Sequence, residues 1–302
     1  MTSFLDPLLQ RVKARLRPLA RRVGLAKGEP VWWEKRTKPQ AASVGVGTGT
    51  GTGDGAAACN VCGWSGAEFA EPFHVEMATC PQCGSIARDR FLLHGFLSRN
   101  PKPWGLRVLE TSPRMGRDYR RMMRQWFQYT ASDFDESNHV ADIKVDLMAI
   151  GLPDNSIDVL LTPHVLEHVP DTALALGEIR RILAPGGRMY LQVPLLQGVT
   201  AAPAEPEFHG DNTPVFWRFG WDLTALLRAA GFETTVLVTE EWLDSLSGKS
   251  RRPIDVGDGF AVNDICEHVV IADLVAVATP ETARRFGFLP PHQFATWECI
   301  KR

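Results

Sequence analysis

VDLMAIGLPDNSIDVLL, residues 145–161, holds the end of one strand, a turn and most of the next strand. Asp154-Asn155-Ser156 is turn chemistry, because short polar side chains bond their own backbone and tolerate tight bends. It leads into Ile157–Thr162, a nearly continuous run of Ile, Val and Leu. A run that short and that apolar reads as a strand buried on both faces of a sheet. Just ahead, Ile143–Val145 is a brief strand, and Asp146 follows it directly.

The same alternation continues on both sides. Upstream, Arg107–Glu110 reads as a strand, Asp118–Trp126 as a helix and Phe127–Ser132 as a strand. Downstream, helix Thr172–Leu183 is closed by Pro185-Gly186-Gly187, and Arg188–Val193 is the fifth strand. Helix Leu223–Ala230 is capped by Gly231, Glu233–Val238 is the sixth strand, and Phe294–Cys299 supplies a last edge strand. Strands alternating with helices predict an α/β fold: a doubly wound, mostly parallel, seven-stranded sheet with helices on both faces. Residues 244–290 do not fit the alternation and are read as including an insertion.

Cys59-Asn-Val-Cys62 and Cys80-Pro-Gln-Cys83 form two C-x2-C pairs with 17 residues between them. Gly63 and Gly84 directly follow the pairs, so each turn can aim backbone N–H groups at sulfur. Two such knuckles offer four thiolates to one tetrahedral zinc, with no position left for water, so the metal is structural. A redox pair and an iron–sulfur cluster are the competing readings. His74, between the knuckles, reads as a loop histidine. Cysteines grouped for a metal, with Cys266 and Cys299 standing apart, point to a reducing compartment. Residues 59–98 are thus a zinc ribbon with a connecting helix that docks it on the body, residues 99–302.

The net charge of −2 conceals an asymmetry: residues 1–40 carry +7 and the remainder −9. Within that basic arm, residues 4–23 have an apolar stripe at helical spacing (Leu5, Leu8, Leu9, Val12, Leu16, Leu19) among arginines. Such a helix suits the inner face of a membrane or an acidic protein partner; packing on the body is the plainer reading. Residues 41–58, rich in Gly, Thr and Ala, are read as a flexible tether. No apolar run is long enough for a transmembrane span, and no secretory signal is legible, so the chain is read as cytoplasmic. The acidic body argues against nucleic acid as the partner without closing that alternative.

Acids stand at the carboxyl ends of three successive strands: Glu110, Asp133 and Asp146. Doubly wound sheets bind ligands there, and an acid about 20 residues past the first loop commonly takes ribose hydroxyls. Three further segments join them: HVLEHVPD (164–171), RRILAPGG (180–187) and FGWDL (219–223) followed by LLRAAGF (226–232). In this order they resemble class I, Rossmann-like, S-adenosylmethionine-dependent methyltransferases of the type 11 domain, over roughly residues 105–240. The C-P-x-C-G-S-x-x-R-x-R segment is similar to members that carry a zinc ribbon.

The resemblance implies that Glu110, Thr111, Ser112 and Gly116 hold the methionine part of S-adenosylmethionine. It likewise implies Asp133 on the ribose, Asp146 on the adenine amino group, Leu147 packed nearby and His164 beside the methyl group. One departure stands out: the first loop reads Glu110-Thr-Ser-Pro-Arg-Met-Gly116, with one glycine where the family has several. In-line methyl transfer is mostly alignment, and a hydroxyl acceptor also gains from a base. His164 and His209 are the candidate bases, and Glu167-His168 reads as a helix-start motif. O-methylation of a small-molecule or glycan acceptor is the favoured function. An RNA methyltransferase using the ribbon and a non-catalytic scaffold are the alternatives. Phe216, Trp217, Phe219 and Trp221 read equally as acceptor wall or core.

Overall fold

A computed structural model describes residues 57–70, 78–100, 102–134, 141–195, 197–209, 212–250, 268–288 and 295–302. The basic arm, most of the tether, His74 and Cys266 lie outside the described residues. The chain divides into two compact units, 1–49 with 208–214, and 50–207 with 215–302. Of the first unit, the described residues belong to the turn of a short hairpin, β8 (Glu207–Phe208) and β9 (Pro214–Val215). There the Asn212 N–H donates to the His209 carbonyl and the His209 N–H to the Thr213 carbonyl.

The larger unit opens with β1 (Ala57–Ala58), paired antiparallel with β2 (Ser65–Gly66). Ala57 and Ala58, read above as the end of the tether, instead zip up the first knuckle. Helix α1 (Ala87–Arg99) follows the second knuckle. Then come β3 (Arg107–Thr111), α2 (Arg117–Trp126), β4 (Gln128–Asp133), β5 (Ile143–Lys144) and β6 (Ile157–Pro163). After them run α3 (Thr172–Ile182), β7 (Leu183–Gln192), α4 (Leu223–Ala229), β10 (Phe232–Thr239) and α5 (Glu240–Leu246). β11 (Leu274–Ala278), α6 (Pro280–Phe286) and β12 (Thr296–Lys301) complete the unit.

The sheet has eight strands, not seven, in the order β11-β10-β12-β7-β6-β3-β4-β5. The additional strand, β11, comes from the stretch read as including an insertion and pairs parallel with β10. The last strand is not at an edge. β12 lies between β7 and β10, antiparallel to both, with Trp297 opposite Leu191 on one side and Val236 on the other. Thr296–Cys299 are buried without a break, as suits a strand with a partner on each side, while nothing in its own residues names its neighbours.

Strand β7 begins at Leu183, earlier than expected, and a register shift across Ile157–Val159 absorbs the Pro185-Gly186-Gly187 bend. Gly186 has φ +76°, and a Cβ on Gly187 would lie 2.8 Å from the Ala184 carbonyl oxygen. Glycine is therefore a steric requirement here. One buried cluster joins α3, α4 and α5 (Leu176, Leu223, Trp242) to Leu109, Leu160 and Leu191. A second joins α1, α2 and α6 (Phe91, Met123, Ala283) to Val108, Val159 and Leu161, and it includes Cys59 and Cys80. Alternate residues of one strand thus feed opposite clusters, as period-two side-chain direction demands.

Candidate functional site

The chain runs from β3 outward to β4 and β5, then returns to β6 on the other side of β3. The topological switch point therefore lies between β3 and β6, and their carboxyl ends frame the crevice where such sheets take ligands. The Thr111 hydroxyl donates to the Thr162 hydroxyl across that junction at 2.9 Å. Both strands then leave through strained turns. Ser112 after β3 has φ +48° and His164 after β6 has φ +52°, each costing about 1 kcal/mol for a residue with a Cβ. Backbone bonds hold them: the Ser112 N–H donates to the Ser132 carbonyl at 2.7 Å and the His164 N–H to the Gln192 carbonyl at 2.8 Å. Strain retained at two adjacent strand ends is a common mark of a functional crevice.

Asp133 ends β4, buried, and its carbonyl receives the Val145 N–H at 2.9 Å. Asp146 follows β5 in a turn whose Met148 N–H donates to its Oδ1 at 2.8 Å, beside the buried Leu147. Gly116 caps α2 with space around it. Glu110 points toward α2, where the hydroxyls of Tyr119 and Tyr129 both donate to Oε2, at 3.0 and 2.7 Å. Burial pushes this carboxyl up to about 7, with the two tyrosine bonds opposing. Sequence reasoning missed these partners. The signal existed: Glu110 lies opposite Ala131, so Tyr129 two residues earlier shares its face.

Past His164, a single 3-10 turn (Leu166–His168) buries Glu167. Its Oε1 lies 3.7 Å from His164 Nδ1 and 3.8 Å from His168 Nε2, too far for hydrogen bonds. Neither carboxyl oxygen has a hydrogen-bond partner among the described residues. Burial alone raises this group to about 8. His209 lies in the hairpin turn of the smaller unit and is described with that unit. Of the aromatic group, Phe219 and Trp221 are core, Trp221 lying 5.7 Å from Trp242 and 6.2 Å from Trp297 between ring centres. Trp217 is packed partly buried against the same cluster.

The four cysteines converge. Cys59 and Cys83 sulfurs are 3.7 Å apart, Cys62 and Cys80 also 3.7 Å, and all four lie within 4.8 Å. Sulfurs bound to zinc at about 2.3 Å are about 3.8 Å apart along a tetrahedron edge, so the donor set fits that ion. Gly63 and Gly84 take φ +76° and +72°, closing each knuckle with an N–H to the carbonyl of Cys59 or Cys80. Bonds from Cys62, Cys80 and Cys83 press the Cys59 thiol far below the ordinary thiol range. Arg90 is fully buried beside this cluster, with no carboxylate at ion-pair distance among the described residues. Burial pulls its pKa below the usual guanidinium value, with nearby Cys59, Asp89, Cys80 and Cys83 opposing.

A sheet of this order, with its switch point between β3 and β6, defines the Rossmann-like α/β class. A family model described as Methyltransferase domain matches residues 86–237, half of the chain, beginning in α1. The chain belongs to that family. A Mycolicibacterium smegmatis protein named "Probable S-adenosylmethionine-dependent methyltransferase" is 29% identical over 132 residues, 42% of this chain and 47% of that protein. A Streptomyces fradiae protein of transposon Tn4556 is 49% identical over 49 residues, 16% of this chain and 14% of its own length. The chain thus spans less than half the length of either curated relative. The 1,6-didemethyltoxoflavin-N1-methyltransferase of Burkholderia thailandensis is 22% identical with a TM-score of 0.39, covering 49% of this chain and 68% of that one.

Proposed function

We propose that this chain is an S-adenosylmethionine-dependent methyltransferase for a small-molecule or glycan acceptor, with a structural zinc in its cysteine knuckles. The observation that carries the reading is the switch point between β3 and β6, where both strands leave through left-handed turns at Ser112 and His164 and where Asp133 ends β4 and Asp146 follows β5. When bound there, the cofactor supplies an electrophilic methyl group on sulfonium. Thr111, Ser112 and Gly116 hold its methionine part, with Glu110 behind them. Asp133 accepts from the ribose hydroxyls, Asp146 accepts from the adenine amino group, and Leu147 packs on the base. His164 accepts the proton of an acceptor hydroxyl, which favours O-methylation. Buried Arg90, with no carboxylate at ion-pair distance among the described residues, supports zinc, because four thiolates on one zinc leave two negative charges to balance it.

Calorimetric titration of the chain with S-adenosylhomocysteine tests the cofactor reading. Binding is expected, and Asp133→Ala should weaken it about 10- to 100-fold, the worth of charge-assisted bonds to ribose. No heat from the unsubstituted chain would sink the enzyme. Elemental analysis tests the metal: one zinc per chain is expected, and Cys80→Ser should lose it. A chain purified with iron, or with none under reducing conditions, overturns zinc.

Among the described residues no helix is long and apolar enough to cross a membrane. A cytoplasmic protein whose residues 4–23 touch the inner membrane face or an acidic partner is part of the proposal. The RNA alternative is weakened by residues 63–79, which hold three glutamates and no Lys or Arg.

A further inference from the structure

The first loop lacks the glycines that would let backbone wrap a ligand freely, so something else must fix its course. Thr111 and Ser112 are held from the sheet, and Met115 is buried in the cluster shared by α1 and α2. Between them, Arg114 reaches away from the sheet. Its Nη2 lies 3.1 Å from Asp89 Oδ2 and donates to the Gly84 carbonyl at 3.3 Å.

Both acceptors are set by the second knuckle. Gly84 follows Cys83 in the left-handed conformation, its N–H bonded to the Cys80 carbonyl at 2.9 Å. The Ser85 hydroxyl contacts the sulfurs of Cys59 and Cys83 at 3.3 and 3.2 Å. Asp89 accepts the Ile86 N–H at 2.9 Å, closing the first turn of α1 three residues past Cys83. The direction of the Gly84 carbonyl and the place of Asp89 therefore follow from the knuckle being closed.

Resting on the proposed cofactor site, we propose that Arg114 is a positioning residue that anchors the cofactor loop to the cysteine knuckle, so affinity for the S-adenosyl cofactor depends on the knuckle's integrity. The knuckle then does at Arg114 what glycines do elsewhere: it sets where the backbone passes. Both side chains keep some exposure, 31% for Arg114 and 11% for Asp89, so water screens the pair and the effect is moderate.

The experiment is S-adenosylhomocysteine titration of the full chain, with bound metal and Tm measured on each sample. Arg114→Ala should raise Kd about 5- to 10-fold with metal content unchanged, and Arg114→Lys should recover part of the loss through Asp89. Asp89→Asn should weaken binding, and adding it to Arg114→Ala should cost little more, because the two share one contact. Chelation of the unsubstituted chain should weaken binding, and the Arg114→Ala chain should lose less on chelation. If chelation unfolds the chain, the Asp89 cycle decides alone. An unchanged Kd in Arg114→Ala, or losses that simply multiply in the double variant, overturns the anchor and leaves the cofactor site standing. No binding by the unsubstituted chain overturns both.

Discussion

Arg90→Met is expected to destabilise the chain by about 4 kcal/mol, read as a fall of about 10 °C in Tm. The side chain is fully buried, and its guanidinium spends its donors on backbone. Nε donates to the Phe286 carbonyl at 2.6 Å, Nη1 to the Ser85 carbonyl at 2.6 Å, and Nη2 to Ala78 and Gly287 carbonyls at 2.7 and 3.3 Å. Those acceptors belong to three places: the strand into the second knuckle, the knuckle itself and the carboxyl end of α6. The guanidinium also lies 3.9 Å above the centre of the Phe69 ring. Methionine fills the volume but leaves the Phe286, Ala78 and Gly287 carbonyls without this donor, while Ser85 keeps the Cys80 N–H at 2.8 Å, and each orphaned buried acceptor costs about 1–3 kcal/mol before relaxation. Partial collapse and water entry bring the sum down. Arg90→Lys should recover a minority of the loss, since one ammonium cannot span acceptors on three segments. Bound metal should fall in parallel with stability. A Tm within about 2 °C of the unsubstituted chain would show that the carbonyls find other donors.

Arg90 also marks what the sequence could and could not convey. The R-x-R after the second knuckle is legible as a pattern, yet its burial is not, because arginines usually lie on the surface. Strands β3, β6, β7 and β10 are legible because their cores are short apolar runs closed by turn chemistry, and β4 from its place in the strand–helix alternation. Their pairing follows from the right-handed crossover rule up to β7. Beyond it the rule fails for β12, which enters antiparallel between β7 and β10, a choice made by sheet packing and not by TWECIK itself. The positions of Asp133 and Asp146 after β4 and β5 are legible because position after a strand is enough to place an acid. The left-handed turns at Ser112 and His164 are not, since positive φ is uncommon for any residue but glycine, even for histidine where it is enriched. Arg114 is the same kind of loss: its partners lie 25 and 30 positions away in sequence, across a fold boundary no local pattern crosses.

Glu167→Gln is expected to abolish most of the alkaline loss of stability. In the folded chain this carboxyl is raised from 4.5 to about 8, entirely by burial, while unfolding returns it to water. Between those values the folded state holds a proton that the unfolded state has released, so stability falls as pH rises. The contribution is intact below about pH 4.5 and is gone once pH passes about 8. A fully buried group with this shift is worth on the order of 5 kcal/mol across the window. Glu110, raised to about 7, adds a slope of the same sign that ends earlier. The groups facing Glu167 are His164 and His168 on its own turn and Arg88 on α1, and Arg88 partly offsets the burial. Glutamine keeps the shape without an ionisable proton, so at pH 9 the variant should be the more stable chain by urea unfolding, while at pH 5 the two should nearly coincide. Equal slopes in both chains would show that Glu167 ionises in place or that water reaches it. The same proton bears on the proposed chemistry, because below about pH 8 it leaves no carboxylate charge 3.7 Å from the His164 ring.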